Sequence, residues 1–178
     1  MTRVKTIYRL CLVILGVGLL PYAASSEGPV GSSPQEQPPR KTRVIDGSRE
    51  PELLPEAIVW EGAFAALHDL TGGKRDPSDP EVWGFVKNNL HISAKDAAIL
   101  LEGVARARSG QRTLERQLDL AFHKDNDPGE VSRLKEEIDQ LILDHRDRIL
   151  TTLSPRGAKA LHRYIAIIKR GMKVEIPE

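Results

Sequence analysis

The alternation of apolar and polar positions is most regular between Ser93 and Leu153. Ala97, Leu100, Val104, Ala107, Gln111, Leu114, Leu118 and Ala121 follow one another in steps of three and four, which keeps one face of an α-helix toward a partner. Val131, Leu134, Ile138, Leu141 and His145 continue the steps after Asp125-Asn126-Asp127. Folding the chain antiparallel about Asn126 sets Ala121 against Val131, Leu118 against Leu134, Leu114 against Ile138, Gln111 against Leu141 and Ala107 against His145. Every layer comes into register from that one turn, with Gln111 and His145 as the polar core layers. Beyond His145 the heptad fails at Arg148, and the apolar face moves to Ile149 and Leu153, as in a straight helix of 3.6 residues per turn. The two arms therefore predict a hairpin inside a bundle rather than an extended coiled coil. Ser109-Gly110, within the first arm, predicts a kink or soft point.

Shorter helices flank this hairpin. One is predicted from Glu52 or Pro55 to Leu70, ending at Gly72-Gly73, with Ala57, Trp60, Phe64 and Leu67 as its buried stripe. Asp79-Pro80 opens a second, since a capping side chain followed by proline suits a first helical turn. Ser93 to Asp96 is a capping box with Asp in the place of Glu or Gln. Asp127-Pro128 opens the second arm, and Ser154-Pro155 opens a last helix to about Met172. The expected fold class is all-α: a long antiparallel helical hairpin packed with two short N-terminal helices and a C-terminal helix.

Aromatic residues make up only 4% of the chain, so the core should be aliphatic, with Trp60, Phe64, Trp83, Phe85 and Phe122 as its few large pieces. Residues 1–25 carry Arg3, Lys5 and Arg9, then an apolar run from Leu10 to Leu20, Pro21 and the small residues Ala23-Ala24-Ser25. That is the layout of a secretory signal peptide cleaved after Ser25, and the run is short for a membrane span. Residues 26–48 hold Pro29, Pro34, Pro38 and Pro39 among Gly, Ser, Gln and charges, and are expected as a disordered linker. Residues 49–178 then form one helical domain. Cys11 is the only cysteine, so the domain has no disulfide to lean on. Without Arg3, Lys5 and Arg9, the 26 basic residues become 23 against 25 acidic ones, which argues against a nucleic-acid partner.

No phosphate loop, dinucleotide fingerprint, Gly-x-Ser-x-Gly or cysteine nucleophile is present, so the reading is non-enzymatic and without a cofactor. Among five histidines, His145 and His162 flank the Ser154-Pro155 turn, and a tight turn there would offer them to a metal with nearby carboxylates. Asp119 and His123 form a lone pair at i, i+4. Asp125 to Glu136 departs from a calcium loop at its glycine position and reads as a helix–helix turn. The outer face of the last helix is basic, through Arg156, Lys159, Arg163, Lys169, Arg170 and Lys173. Glu50, Glu52, Glu56, Glu61 and Asp69 make the first helix region acidic, and the expectation is that these two faces pair within the chain. The alternative is a basic face directed at a membrane surface.

Leu153-Ser154-Pro155-Arg156-Gly157, with Leu161 following, resembles the Leu-Thr-x-x-Gln helix start of the small periplasmic chaperone and stress-sensor proteins. Leu90-His91-Ile92-Ser93-Ala94-Lys95-Asp96 resembles a second copy. In both, Ser stands for Thr, and Gly157 and Asp96 stand where Gln would be. The resemblance implies an exported helical hairpin protein, often dimeric. Together these readings lead to an expectation of a secreted or periplasmic, non-enzymatic protein, chaperone-like or an envelope-stress accessory, that binds an unknown protein partner or itself. A metal-binding or metal-sensing protein and a membrane-surface module are the alternatives.

Overall fold

The structure, a computed structural model, describes residues 42–125 and 127–177. The predicted signal peptide and most of the predicted linker lie outside the described residues. Strand β1 (Thr42–Asp46) is followed by helices α1 (Glu56–Leu70), α2 (Pro80–Phe85, continued by a π-helical turn Val86–Leu90), α3 (Ala94–Leu120), α4 (Pro128–Thr152) and α5 (Pro155–Gly171), then strand β2 (Lys173–Pro177). The chain is thus all-α in architecture, with one small two-stranded sheet added.

That sheet is the first departure from the sequence reading. Thr42–Asp46 falls in the expected linker, yet it pairs antiparallel with Lys173–Pro177, Asp46 opposite Lys173 and Thr42 opposite Pro177. The reason is the alternation in each half. Ile45 and Val174 point inward, both only 1% exposed, while their neighbours on the strands face outward. Neither half is long enough to announce itself as a strand. The Gly47 N–H donates to the Met172 carbonyl at 2.9 Å, and a Cβ on Gly47 would collide with the Lys169 carbonyl. A side chain there would lift the strap off the end of α5.

The hairpin of α3 and α4 forms in the expected antiparallel sense. A Cβ on Gly103 would lie 2.5 Å from Cγ1 of Ile149, and one on Gly110 2.8 Å from Cδ1 of Leu141. Helix α3 is not broken at Ser109-Gly110. It runs unbroken from Ala94 to Leu120, and Gly110 makes room for Leu141 where the arms approach closely. Gln111 is fully buried as the polar layer, but His145 is not its counterpart. The buried positions of α4 are Leu134, Ile138, Ile142 and Ile149, with Leu141 and His145 half-buried at the margin. Since α1 packs over both arms, α4 must bury a wider face than a two-helix seam requires, and Ile142 takes the covered position.

The core is aliphatic around a few aromatics, as expected for most of them. Phe64 and Leu67 of α1 meet Leu100, Leu134, Ile142 and Leu161, all 1% exposed or less. Each such side chain contributes roughly 1.5–3 kcal/mol on burial. Phe122 is the exception. It sits at the hairpin turn and is 48% exposed, with Leu120 beside it at 57%. The reason is length. Helix α3 extends about 40 Å at 1.5 Å per residue, far beyond the 15 residues of α1 that cover it.

At the opposite end, one carboxylate ties the bundle together. Asp96 is 4% exposed, in the first turn of α3. Its Oδ2 accepts from Ser93 Oγ at 2.9 Å and from Ser154 Oγ at 2.8 Å, and its Oδ1 accepts from the Ser154 N–H at 2.9 Å. Each serine also caps its own helix: Ser93 Oγ accepts from the Asp96 N–H and Ser154 Oγ from the Gly157 N–H. A Cβ on Gly157 would lie 2.7 Å from the Asp96 carboxyl carbon, so glycine is what lets α5 close on it. Burial pushes the Asp96 carboxyl up, but the hydrogen bonds from Ser154 and Ser93 outweigh it, and the acid ends below the ordinary carboxylate range.

Two outcomes follow. Asp96→Ala should lower unfolding free energy in urea by about 2–3 kcal/mol, since it strands buried hydroxyl and amide donors, and Gly157→Ala by roughly 1–3 kcal/mol through overpacking. Because the folded acid is depressed, its stabilisation is complete above the ordinary carboxylate value and is lost as pH falls through the lowered one. An Asp96→Asn variant should accordingly show a shallower acid decline in urea midpoint than the parent chain.

Candidate functional site

Three places and one exposed apolar end stand out on this frame. The first is the interior layer at Gln111. Its Nε2 donates to Glu61 Oε1 of α1 at 2.5 Å and to Glu115 Oε1 at 2.9 Å, while its Oε1 accepts from an Arg108 terminal nitrogen at 2.6 Å. The amide is thus fully used, which is the condition for a buried polar group to be tolerated. Burial raises the Glu61 carboxyl, and the Gln111 hydrogen bond only partly offsets it. The layer locates α1 on α3 and contains no group free to react.

The second is a groove of about 250 Å³ between the base of α3 and the end of α4, lined by Ile99, Gly103, Arg106, His145, Arg148 and Ile149 among others. His145 belongs here. Burial, then the charges of Arg148 and Arg106, lower its pKa, so the imidazole is held toward its neutral form. His162 is elsewhere: exposed on α5, it stands edge-on to Trp60, ring centres 6.4 Å apart. The Ser154-Pro155 turn does not bring the two histidines to a shared set of ligands. Among the described residues, no three His, Cys, Asp or Glu side chains cluster as a metal site. Asp119 and His123 pair at 3.3 Å on an exposed helix end.

The third is the basic face of α5. Arg156, Lys159, Arg163 and Arg170 are exposed, and Lys169 is half-exposed. The expected pairing with the acidic α1 region does not occur among the described residues. Glu56 instead binds Arg146 of α4 at 2.9 Å, Glu50 binds Arg43 of β1 at 2.9 Å, and Glu61 turns inward to Gln111. Lys173 alone finds an acid, Asp46 across the sheet at 3.6 Å. Glu56 and Glu61 of α1 face the hairpin, not α5, because α1 lies over both arms, and Asp69 is exposed beside His68. Charge totals alone do not carry that geometry.

The apolar end is the hairpin tip. Among the described residues, the only buried side chain of the first arm after Leu114 is Ala121, and the second arm has none before Leu134. Leu118 and Val131 are half-buried, and Leu120 and Phe122 are exposed. Asp127 caps α4 by accepting from the Gly129 and Glu130 N–H groups at 2.9 and 3.2 Å, so the turn's acid is occupied in helix capping. Exposed Leu and Phe side chains together on a helix turn are the part of this surface suited to another protein.

The Glu61 geometry gives a pH test. An acid whose pKa is raised on folding costs stability as pH climbs from its ordinary value through the raised one. Glu61→Gln keeps an acceptor for Gln111 and removes that charge. Its urea midpoint should equal or exceed that of the parent chain at neutral pH, and the difference should vanish at mildly acidic pH.

Comparison with known proteins places this frame. No protein-family model and no solved structure matches the chain. A guanine nucleotide-binding protein subunit gamma from Eremothecium gossypii is 33% identical over 61 residues, which is 33% of this chain and 68% of the relative. A subunit of a guanine nucleotide-binding protein is not an exported envelope factor. The match therefore overturns the expectation of a secreted or periplasmic protein, whether chaperone-like, stress-accessory or metal-sensing. A protein partner, part of the original expectation, is what a subunit requires. The chain belongs to the family of guanine nucleotide-binding protein gamma subunits.

Proposed function

We propose that this chain is a non-catalytic assembly subunit that works by docking a protein partner on the tip of its helical hairpin. The observation that carries this reading is the exposed apolar tip, where Leu120 and Phe122 lie two residues apart with half-buried Leu118 and Val131 near them, while Val44, Leu53, Leu70 and Ile167 are exposed elsewhere on the frame. The similar protein from Eremothecium gossypii is, by its name, one subunit of a larger protein, and that supports the same role here. Aromatic and aliphatic side chains on a rigid helical turn lose little conformational freedom on binding and bury much apolar area, which is the physics of an interface anchor. The fully used hydrogen bonds at Gln111 and at Asp96 support a scaffold role for those layers. The two helix starts that resemble one another, Leu90–Asp96 and Leu153–Gly157, meet through Asp96, which supports reading them as a paired structural motif that closes the base.

A photo-crosslinking residue placed at Phe122 in the cells the chain comes from, with one at Glu137 on the solvated face of α4 as control, tests the docking surface. A single protein crosslinked at 122 and absent at 137 is expected. Phe122→Asp should abolish that adduct, as monitored from a crosslinker at Leu120, while the melting temperature stays within about 2 °C, since an exposed side chain contributes little to folding. Equal crosslinking at both positions, or adducts only with a second copy of the chain, would remove the tip as the partner surface.

A further inference from the structure

Beside the Gln111 layer, α3 carries arginines at four-residue spacing: Arg108, Arg112 and Arg116. They share one face and span about 12 Å. The turn after α1 supplies the facing wall, with His68, Gly73 and Arg75, and the groove between holds about 270 Å³ with a mostly polar lining. Gly73 has φ of +70°, and a Cβ on it would lie 3.1 Å from the His68 ring, so bare backbone in a left-handed conformation closes this wall against the imidazole.

The charge in this groove is poorly answered. Arg75 reaches Glu102 only at 3.6 Å, and Glu102 is already bound to Arg106 at 2.8 Å. Arg108 spends one terminal nitrogen on Gln111, while its Nε is buried without a hydrogen-bond partner. Arg112 and Arg116 have no carboxylate within 4 Å among the described residues. Elsewhere the helices set opposite charges three or four residues apart, as Glu102 with Arg106 and Arg133 with Glu130 and Glu137. Like charges four residues apart destabilise a helix. A stripe that opposes its own helix and is only partly offset, by Glu61 near Arg108 and Glu102 near Arg75, is the kind of local conflict that marks a binding site.

The residue type narrows the ligand. All four cations lining the groove from α3 and the turn are arginines, whose planar guanidinium forks match the paired oxygens of a phosphate better than ammonium groups do. The volume admits one or two phosphoryl groups. We infer that the groove between the end of α1 and the middle of α3 is an oxyanion site for a small phosphate-class anion, of inorganic phosphate or pyrophosphate size. Arg112 and Arg116 hold it from the helix, Arg75 from the turn, and the unsatisfied Arg108 Nε lies at its floor. This site stands independently of the protein-docking reading, at a different surface from the hairpin tip.

Titration calorimetry of the whole chain with inorganic phosphate and with pyrophosphate, at fixed ionic strength against chloride, tests it. Saturable binding of at least one of the two is expected. Arg112→Gln with Arg116→Gln should weaken it roughly tenfold or more, the scale of losing charge-assisted hydrogen bonds. Arg75→Gln, from the other wall, should weaken it in the same direction. The double variant without ligand should melt at the same temperature as the parent or higher, because like-charge repulsion is removed, so loss of binding is separable from loss of fold. Lys159→Gln with Arg163→Gln on α5 should leave the affinity unchanged. No saturable heat with either anion, or an affinity untouched by the α3 variants, or an equal loss from the α5 variants, overturns the site. Binding of a hexaglutamate peptide with none of pyrophosphate would overturn it in favour of an acidic protein segment.

Discussion

A carboxylate that is buried must be surrounded by donors, and Asp96 meets that requirement by drawing two helix starts together. The serines at positions 93 and 154 are ordinary N-caps, each satisfying an otherwise orphaned amide of its own helix. What makes them structural is that both hydroxyls also donate to the same acid. The start of α5 is thereby fixed to the start of α3 across 58 residues of chain, at the end where α4 finishes. Removing the acid would loosen three elements at once. Gly157 belongs to the same constraint, since any larger residue would hold the second serine out of reach.

From that fixed base the molecule changes character along its length. Near the base α3 and α4 are covered by α1 and α5, and the glycines at 103 and 110 let the arms approach closely. Toward the turn the cover ends, burial thins, and apolar side chains face outward. Folding free energy should be distributed in the same way, high where contacts are dense and low where two helices stand alone. A partner at the tip would supply the missing apolar cover there, and the protein would be a scaffold whose ordered end is built in and whose other end is completed by assembly. The arginine groove lies between the two, on the face of α3 left uncovered beside the end of α1.

Much of this was legible in the residues. The stripe of Ala97, Leu100, Val104 and Leu114 marked the inner face of α3, and the turn at Asp127-Pro128 and the start at Ser154-Pro155 stand where capping chemistry puts them. The strict heptad misled at Ile142 and His145, because it describes a seam between two helices and α4 packs against more than one. The strands at Thr42 and Lys173 were hidden because each is five residues long and becomes a strand only beside the other. The capping box at Ser93 was readable, yet its second serine was not, since nothing local at Asp96 refers to residue 154. Charge counts suggested that α1 and α5 would pair, but the facing of each helix decides that, and the acids of α1 and the turn before it found Arg146, Gln111 and Arg43 instead. The spacing of Arg108, Arg112 and Arg116 was present as a signal, and its meaning appears only with the turn after α1 beside it. Residues 1–25 have the layout of an export signal, but the match to a guanine nucleotide-binding protein gamma subunit overturns the export reading.

Amide hydrogen exchange resolved residue by residue tests the central claim most directly, namely that one buried acid anchors the base while the hairpin tip is left for a partner. The N–H groups of Ser154 and Gly157 should exchange only through global unfolding, with protection equal to that of the core amides of α3 around Leu100. Amides around Leu118, Leu120 and Val131 should exchange faster by roughly a hundredfold or more, as expected of a locally opening end. Uniform protection along both arms, or rapid exchange at Ser154 and Gly157, would contradict this division of the fold.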